Sequence, residues 1–247
     1  MNGSELKNLA LAYVKKLDAA KAAIDPEFPW YPYGSLSNFI TLEPILNRWS
    51  LERLNPNHSR MVDIGAADGD LAFFLEDLGY GADILDYGPT NFNNLRGARL
   101  LKAHMNSTVN IYSVDLDDQF TLPTGAGYDL AFFLGILYHL KNPFYALERF
   151  SKASRYLILS TRVAKLAPDG TSLEDLPVAY LLSPRQTNDD PSNYWIFSQA
   201  GLRRLFDRTG WEELELTVVG DTRASNPQDA DHDERVFALL ESRVRKT

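Results

Sequence analysis

Cysteine is absent from all 247 residues. That removes disulfides, thiolate metal centres and cysteine nucleophiles from the chemistry open to this chain. Positive charge is scarce as well: 25 Lys and Arg stand against 33 Asp and Glu, a formal net charge of −8. A surface of that sign disfavours non-specific binding to nucleic acid or to anionic membranes. No apolar run is long enough to span a bilayer. The first residues, with Glu5, Lys7, Lys15 and Lys16, form a charged amphipathic stretch rather than a secretory leader, so a cytoplasmic location is expected. No internal repeat is present. Missing too is the Gly-x-Gly-x-x-Gly turn that cradles a pyrophosphate; its three glycine positions are occupied here by Gly65, Ala67 and Asp70, and only the first fits.

What is present reads as a folded enzyme. Apolar residues make up 45% and charged ones 23%, an ordinary balance for a soluble protein, and a chain this long buries roughly 70–75% of its unfolded surface. Leu6, Leu9, Tyr13 and Leu17 recur at helical spacing and predict a helix over residues 4–24. Pro26, Pro29 and Pro32 then interrupt an aromatic turn, Phe28-Pro29-Trp30-Tyr31-Pro32-Tyr33-Gly34, ahead of a second helix at 41–54. Strands at 60–64, 82–86, 109–114, 128–134 and 155–161 alternate with helices at 70–79, 91–104 and 143–153. Residues 164–193 carry Pro168, Gly170, Pro177, Pro184 and Pro191 and read as an irregular insertion; a helix at 199–209, capped by Ser198, and a hairpin of strands 212–220 and 234–242 close the chain. The expected fold class is α/β: a doubly wound, mostly parallel seven-stranded sheet with an N-terminal helical cap. We expect one domain over 1–247, with a cap at 1–55, a binding core at 56–163, the insertion, and a C-terminal helix and hairpin from 194.

In an open parallel sheet, ligands lie outside the carboxyl ends of the strands, so the residues ending each strand carry the information. Met61-Val62-Asp63-Ile64-Gly65-Ala66-Ala67-Asp68-Gly69 is an apolar strand running into a small-residue turn. Asp68 and Asp70 sit where a phosphate would otherwise meet a helix N-terminus; they are expected to repel a pyrophosphate and to suit a ligand bearing an ammonium group. Asp86, with Tyr87 beside it, ends the next strand about twenty residues on, where a carboxylate accepts from both hydroxyls of a ribose.

The run Asp63-x-Gly65-x-Ala67-x-Gly69 resembles motif I of the class I S-adenosylmethionine (SAM) methyltransferases, with alanine for the middle glycine. The resemblance implies SAM as cofactor and S-adenosylhomocysteine (SAH) as product, held by Asp63, Gly65, Ala66, Ala67, Asp86 and Tyr87. It also implies an adenine clamp at Asp115 and Leu116, and a fourth-strand end, Leu134 and Gly135, beside the methionine moiety. Trp30, Tyr31 and Tyr33 could fold over the donor as a lid, since ring faces attract a sulfonium cation. His139 is the candidate base, with Tyr138 to orient the acceptor. Tyr180, Arg185, Tyr194 and Trp195 would line the acceptor pocket. The acidic run Asp229-Ala230-Asp231-His232-Asp233 has ligand atoms suited to a divalent ion, but a solvated loop explains it better, and no metal is expected.

Within that family, Trp30-Tyr31-Pro32-Tyr33, Tyr138-His139-Leu140 with Pro143, and Asn193-Tyr194-Trp195-Ile196-Phe197-Ser198 look most like the branch that includes the tRNA wobble-uridine carboxymethyl transferases, whose donor is a carboxylated SAM. The acidic chain offers no long basic run for tRNA, so ordinary SAM and a small-molecule acceptor are expected, without a membrane partner. An NAD-dependent oxidoreductase and a non-catalytic binding module of the same fold are the other readings. Oligomeric state and the choice among O-, N- and C-methylation are not encoded legibly.

Overall fold

The computed structural model describes residues 1–123, 125 and 127–245. The chain divides into two compact units: residues 1–115 with 119–132, and residues 116–118 with the chain from Phe133 onward.

The first unit opens with α1 (Gly3–Ile24), started by a reciprocal capping box between Asn2 and Glu5. Its buried stripe is Leu6, Ala10, Tyr13, Leu17 and Ala20. Leu9, expected on that face, is instead 45% exposed: at 100° per residue it falls just outside the edge of the stripe. Gly3 permits close packing of α1 on α2 (Asn38–Arg48), because a Cβ there would stand 2.4 Å from the Glu43 carbonyl oxygen. The helix expected at 41–54 stops early. Trp49 is extended, and Ser50 accepts from the Glu52 N–H to begin a separate 3-10 turn, Leu51–Arg53.

Four parallel strands follow in the spatial order β3-β2-β1-β4, where β1 is Arg60–Ile64, β2 Gly81–Asp86, β3 Asn110–Ser113 and β4 Tyr128–Leu134. The last two residues of β4 belong to the second unit. Asp83 in the middle of β2 is fully buried, yet it is satisfied by Arg60, the Tyr128 hydroxyl and the Asn110 amide at 2.8–3.1 Å. A buried charge is tolerated only with such partners. α3 (Asp70–Asp77) and α4 (Arg96–Met105) complete the unit. α4 starts five residues later than the periodicity predicts: the Asn91 side chain accepts from the N–H groups of Asn93 and Leu95, and Asn94 and Leu95 adopt positive φ. Side-chain competition for backbone donors explains the late start.

The second unit is built on β5 (Ser154–Val163), along which β9 (Glu234–Ser242) runs antiparallel, with β8 (Trp211–Gly220) antiparallel to β9. α5 (Pro143–Ala153) is capped by Asn142, and α6 (Gln199–Arg208) by Ser198. Trp211 is 1% exposed, its indole N–H donating to the Leu147 carbonyl. The segment 164–193 is more ordered than its prolines suggest. It supplies β6 (Ala179–Leu181), paired antiparallel with β7 (Trp195–Phe197), over a small core of Ala164, Leu173, Leu182 and Ile196. These two three-residue strands add to the seven expected ones.

Candidate functional site

In the first unit, the turn between β1 and α3 is shaped by three residues at positive φ: Gly65 (67°), Ala67 (53°) and Gly69 (85°). Gly69 suits this left-handed position, and a Cβ there would also press on Ile84 Cδ1 at 2.4 Å, so the isoleucine would have to shift. Alanine at 67 takes the same left-handed backbone, with the modest strain expected of a Cβ there. The turn's first N–H, on Gly65, donates to Leu85 of β2, so the ends of β1 and β2 are locked side by side.

That register sets Asp86 against the turn. Its Oδ2 accepts from the Ala67 N–H (3.0 Å) and the Asn91 amide (2.9 Å), and Oδ1 accepts from the Tyr87 N–H (2.7 Å). These are three bonds on a group with about four acceptor positions, which leaves Oδ1 able to take one more donor. Burial raises the Asp86 pKa, and its bonds with Asn91, Ala67 and Tyr87 oppose that rise. Asp63, at the heart of β1, is pushed up to about 8, chiefly by burial, with the nearby Asp86 and Asp70 charges adding and the Ala72 N–H opposing. That shift favours its neutral form, and its Oδ2 is buried without a hydrogen-bond partner. Asp115 follows β3, whose Ser113 pairs with Asp86 in register.

The acids at 68 and 70 differ from expectation. Asp68 is 2% exposed and enclosed by its own chain: Oδ2 accepts from the Tyr31 N–H (2.7 Å) and lies 3.7 Å from Lys21 Nζ, while Oδ1 accepts from the Asn93 amide (2.7 Å). Asp70 pairs with the same Lys21 at 3.0 Å. Burial raises its pKa and Lys21 works against the rise. Neither carboxylate is open to a ligand ammonium; α1 already supplies the cation. What Asp68 holds is the aromatic turn. Phe28 and Trp30 pack at 4.6 Å between ring centroids, Tyr31 meets Tyr33 edge-on at 5.6 Å and Phe92 at 5.8 Å, and Tyr33 is 73% exposed. Lys21, Asn91 and Asn93 escaped the sequence reading. The asparagines were visible only as a polar run inside a supposed helix, and Lys21 lies forty-seven positions before Asp68.

In the second unit, Leu134 leads into Gly135 (φ 75°), whose N–H donates to Ser160 of β5. A one-turn 3-10 helix, Leu137–His139, follows; the Tyr138 hydroxyl lies 3.7 Å from the position a Cβ on Gly135 would take. Nδ1 of His139 stands 3.1 Å from the Ser192 carbonyl oxygen and 3.0 Å from Ser192 Oγ, which itself donates to Asp190. A carbonyl only accepts, so Nδ1 carries the proton and Nε2 keeps the lone pair. Burial lowers the His139 pKa, Ser192 and Asp190 oppose, and the Arg235 charge lowers it further. The guanidinium of Arg235, anchored on Asp233 at 2.8 Å, lies 5.8 Å from the Tyr138 ring.

Tyr194 donates its N–H to the Tyr138 carbonyl, Lys141 lies over the Tyr194 ring at 5.9 Å, and the Trp195 indole donates to Lys141 O. Four expected residues, Tyr138, His139, Tyr194 and Trp195, are thus gathered around one turn. Tyr180 sits apart on β6 with its hydroxyl accepting from Gln228, Arg185 lies exposed beyond it, and Leu116 is buried. The acidic loop is paired mostly with its surroundings: His232 contacts Asp221 as well as Asp229, and both Arg162 and Arg235 bind Asp233.

No protein-family model and no curated protein matches the sequence. Solved structures do match. The N-terminal domain of EvdMO1 with SAH bound aligns over 93% of this chain and 96% of that one, with 16% identity and a TM-score of 0.56. The chain spans 47% of the longer EvdMO1 chain, about half of it. TehB from Haemophilus influenzae aligns over 79% of this chain and 60% of its own, with 14% identity and a TM-score of 0.52. Magnesium protoporphyrin IX methyltransferase (ChlM) from Synechocystis PCC 6803 with bound SAM gives 82%, 79%, 15% and 0.51 in the same terms. The chain has the methyltransferase fold. In that fold the turn after β1 and the carboxylate ending β2 stand at the edge where α/β sheets bind their ligands.

Proposed function

We propose that this chain is a SAM-dependent methyltransferase acting on a small or medium-sized acceptor. The observation that carries the reading is the Asp86 carboxylate, locked against the Gly65–Gly69 turn with one acceptor position to spare. The SAM and SAH bound in structures of the same fold support it.

Asp86 would accept from the donor's ribose, and the positive-φ turn lets backbone approach the ligand without intervening side chains. Asp115 and Leu116 would flank the adenine, and Trp30, Tyr31 and Tyr33 would offer ring faces to a cation. When bound, SAM supplies a methyl group on a positively charged sulfur, already activated for in-line displacement. The protein's tasks are then alignment and exclusion of water. An acceptor that must lose a proton would give it to Nε2 of His139, the nitrogen left with its lone pair by the Ser192 contacts. Tyr138 would orient that acceptor, with Tyr194 and Trp195 near it. A net charge of −8 favours a small metabolite over tRNA.

The deciding measurement is thermal stability with SAH or NADH. A ligand at about 100 times its Kd adds about 2.7 kcal/mol, so SAH should raise the melting temperature and NADH should not. Stabilisation by NADH with none by SAH would overturn the proposal.

A further inference from the structure

The aromatic turn is fastened by one buried side chain. Asp68 lies in the glycine turn itself, and its two oxygens take the backbone N–H of Tyr31, the amide of Asn93 and the ammonium of Lys21. Asn93 in turn donates to the Pro29 carbonyl, so it too grips the aromatic segment, and its Oδ1 accepts from the Gly97 N–H that begins α4. The fit is close: a Cβ on Gly97 would come within 2.1 Å of Asp68 Oδ1. Lys21 reaches the cluster from the last turn of α1 and lies 5.7 Å from the Trp30 ring. All three partners of Asp68 are donors, a set that a carboxylate satisfies and a carboxamide cannot.

Resting on the methyltransferase reading, we infer that Asp68 is a positioning residue that clasps the aromatic turn onto the glycine turn and thereby sets how long the adenosyl ligand stays bound. The two segments such a ligand would meet are joined here by a buried, charge-assisted contact rather than by loose apolar packing. Charge-assisted hydrogen bonds are the stronger kind, and a carboxylate removed from water holds its donors most firmly. Pro29 and Pro32 stiffen the turn on either side of the Tyr31 N–H, so it is held as a block. Asp68 needs no contact with the ligand for this effect.

The test replaces Asp68→Asn and compares it with Asp70→Asn, which perturbs the same Lys21 but neither grip on the turn. SAH dissociation is followed by stopped-flow tryptophan fluorescence. Asp68→Asn should raise the dissociation rate tenfold or more, raise the KM for SAM, and leave kcat at saturation within about threefold, whereas Asp70→Asn should stay within twofold of the parent. Without any ligand, chymotrypsin should cut after Trp30 and Tyr33 faster in Asp68→Asn alone. Should that variant not fold, Asn93→Ala removes the second grip and is expected to raise the dissociation rate in the same direction. An unchanged dissociation rate in the folded variant, or an equal rise in Asp70→Asn, would overturn the inference. If the parent itself fails to bind SAH, the methyltransferase reading fails instead, while the protease comparison still reports on the clasp.

Discussion

Asp86 and Asp68 are both carboxylates at the carboxyl edge of the first unit's strands, yet their surroundings assign them different work. Asp86 is only part-buried and keeps an acceptor position in hand; Asp68 is 2% exposed and closed in by three donors from its own chain. Asp86→Ala should therefore weaken SAH binding by roughly 1.5–3 kcal/mol, the range for a hydrogen bond to a charged group. Isothermal calorimetry measures this directly, and an unchanged affinity would remove Asp86 from the ligand's contacts. Part of this distinction was legible in the sequence. Asp86 could be placed because its distance from Gly65 is fixed by one helix and one strand. The use of Asp68 could not, because its partners Lys21 and Tyr31 come from far earlier in the chain and meet it only once α1 has docked. His139 shows the same division: its place after β4 was readable, but the Ser192 contacts that fix its tautomer arise from an insertion with no periodic pattern.

Among the elements, limits held where apolar runs or a proline bound them sharply and slipped where polar side chains compete for the backbone. β1, β4 and α5 match the predicted residues because apolar runs and a Pro143 start bound them sharply. α4 lost its first turn to Asn91, and α2 lost its end to Ser50, each a side chain bidding for backbone N–H groups. β6 and β7 went unread since three residues are too few for an alternation to register. Their stability comes from elsewhere, and Ser198 is a main source. It accepts from the Gly201 N–H to cap α6, accepts from the Val178 N–H beside β6, and donates to Leu176 O, while 1% exposed. Ser198→Ala should cost about 1–2 kcal/mol, the upper part of the N-cap range, in urea unfolding. A loss of only a few tenths would mean that the cap and the insertion are not coupled through this hydroxyl.

On the scale of the whole molecule, buried acids govern the response to pH. Asp63 has a pKa of about 8 in the fold against an ordinary 3.8, so the folded chain holds a proton that the unfolded chain releases once the pH passes 3.8. Stability contributed by this group is complete below that value and declines as pH rises, levelling off above about 8. Asp63→Asn removes the ionisation while preserving shape. Its melting temperature relative to the parent should therefore improve between pH 5 and pH 8, and equal differences at the two values would show that Asp63 ionises freely in the fold. The same buried proton was beyond sequence reading: Asp63 was recognised by its place in a motif, whereas its charge state depends on the layers packed around β1.

Two tryptophans give this chain a further property. Trp49 is 4% exposed in the first unit, and Trp211 is 1% exposed in the second. Each half of the protein thus contains its own optical reporter, shielded from water while folded and quenched or red-shifted on opening. Versions keeping a single one of these indoles would reveal whether the halves melt in one transition or two, a question of cooperativity that a circular dichroism trace of the intact chain averages away.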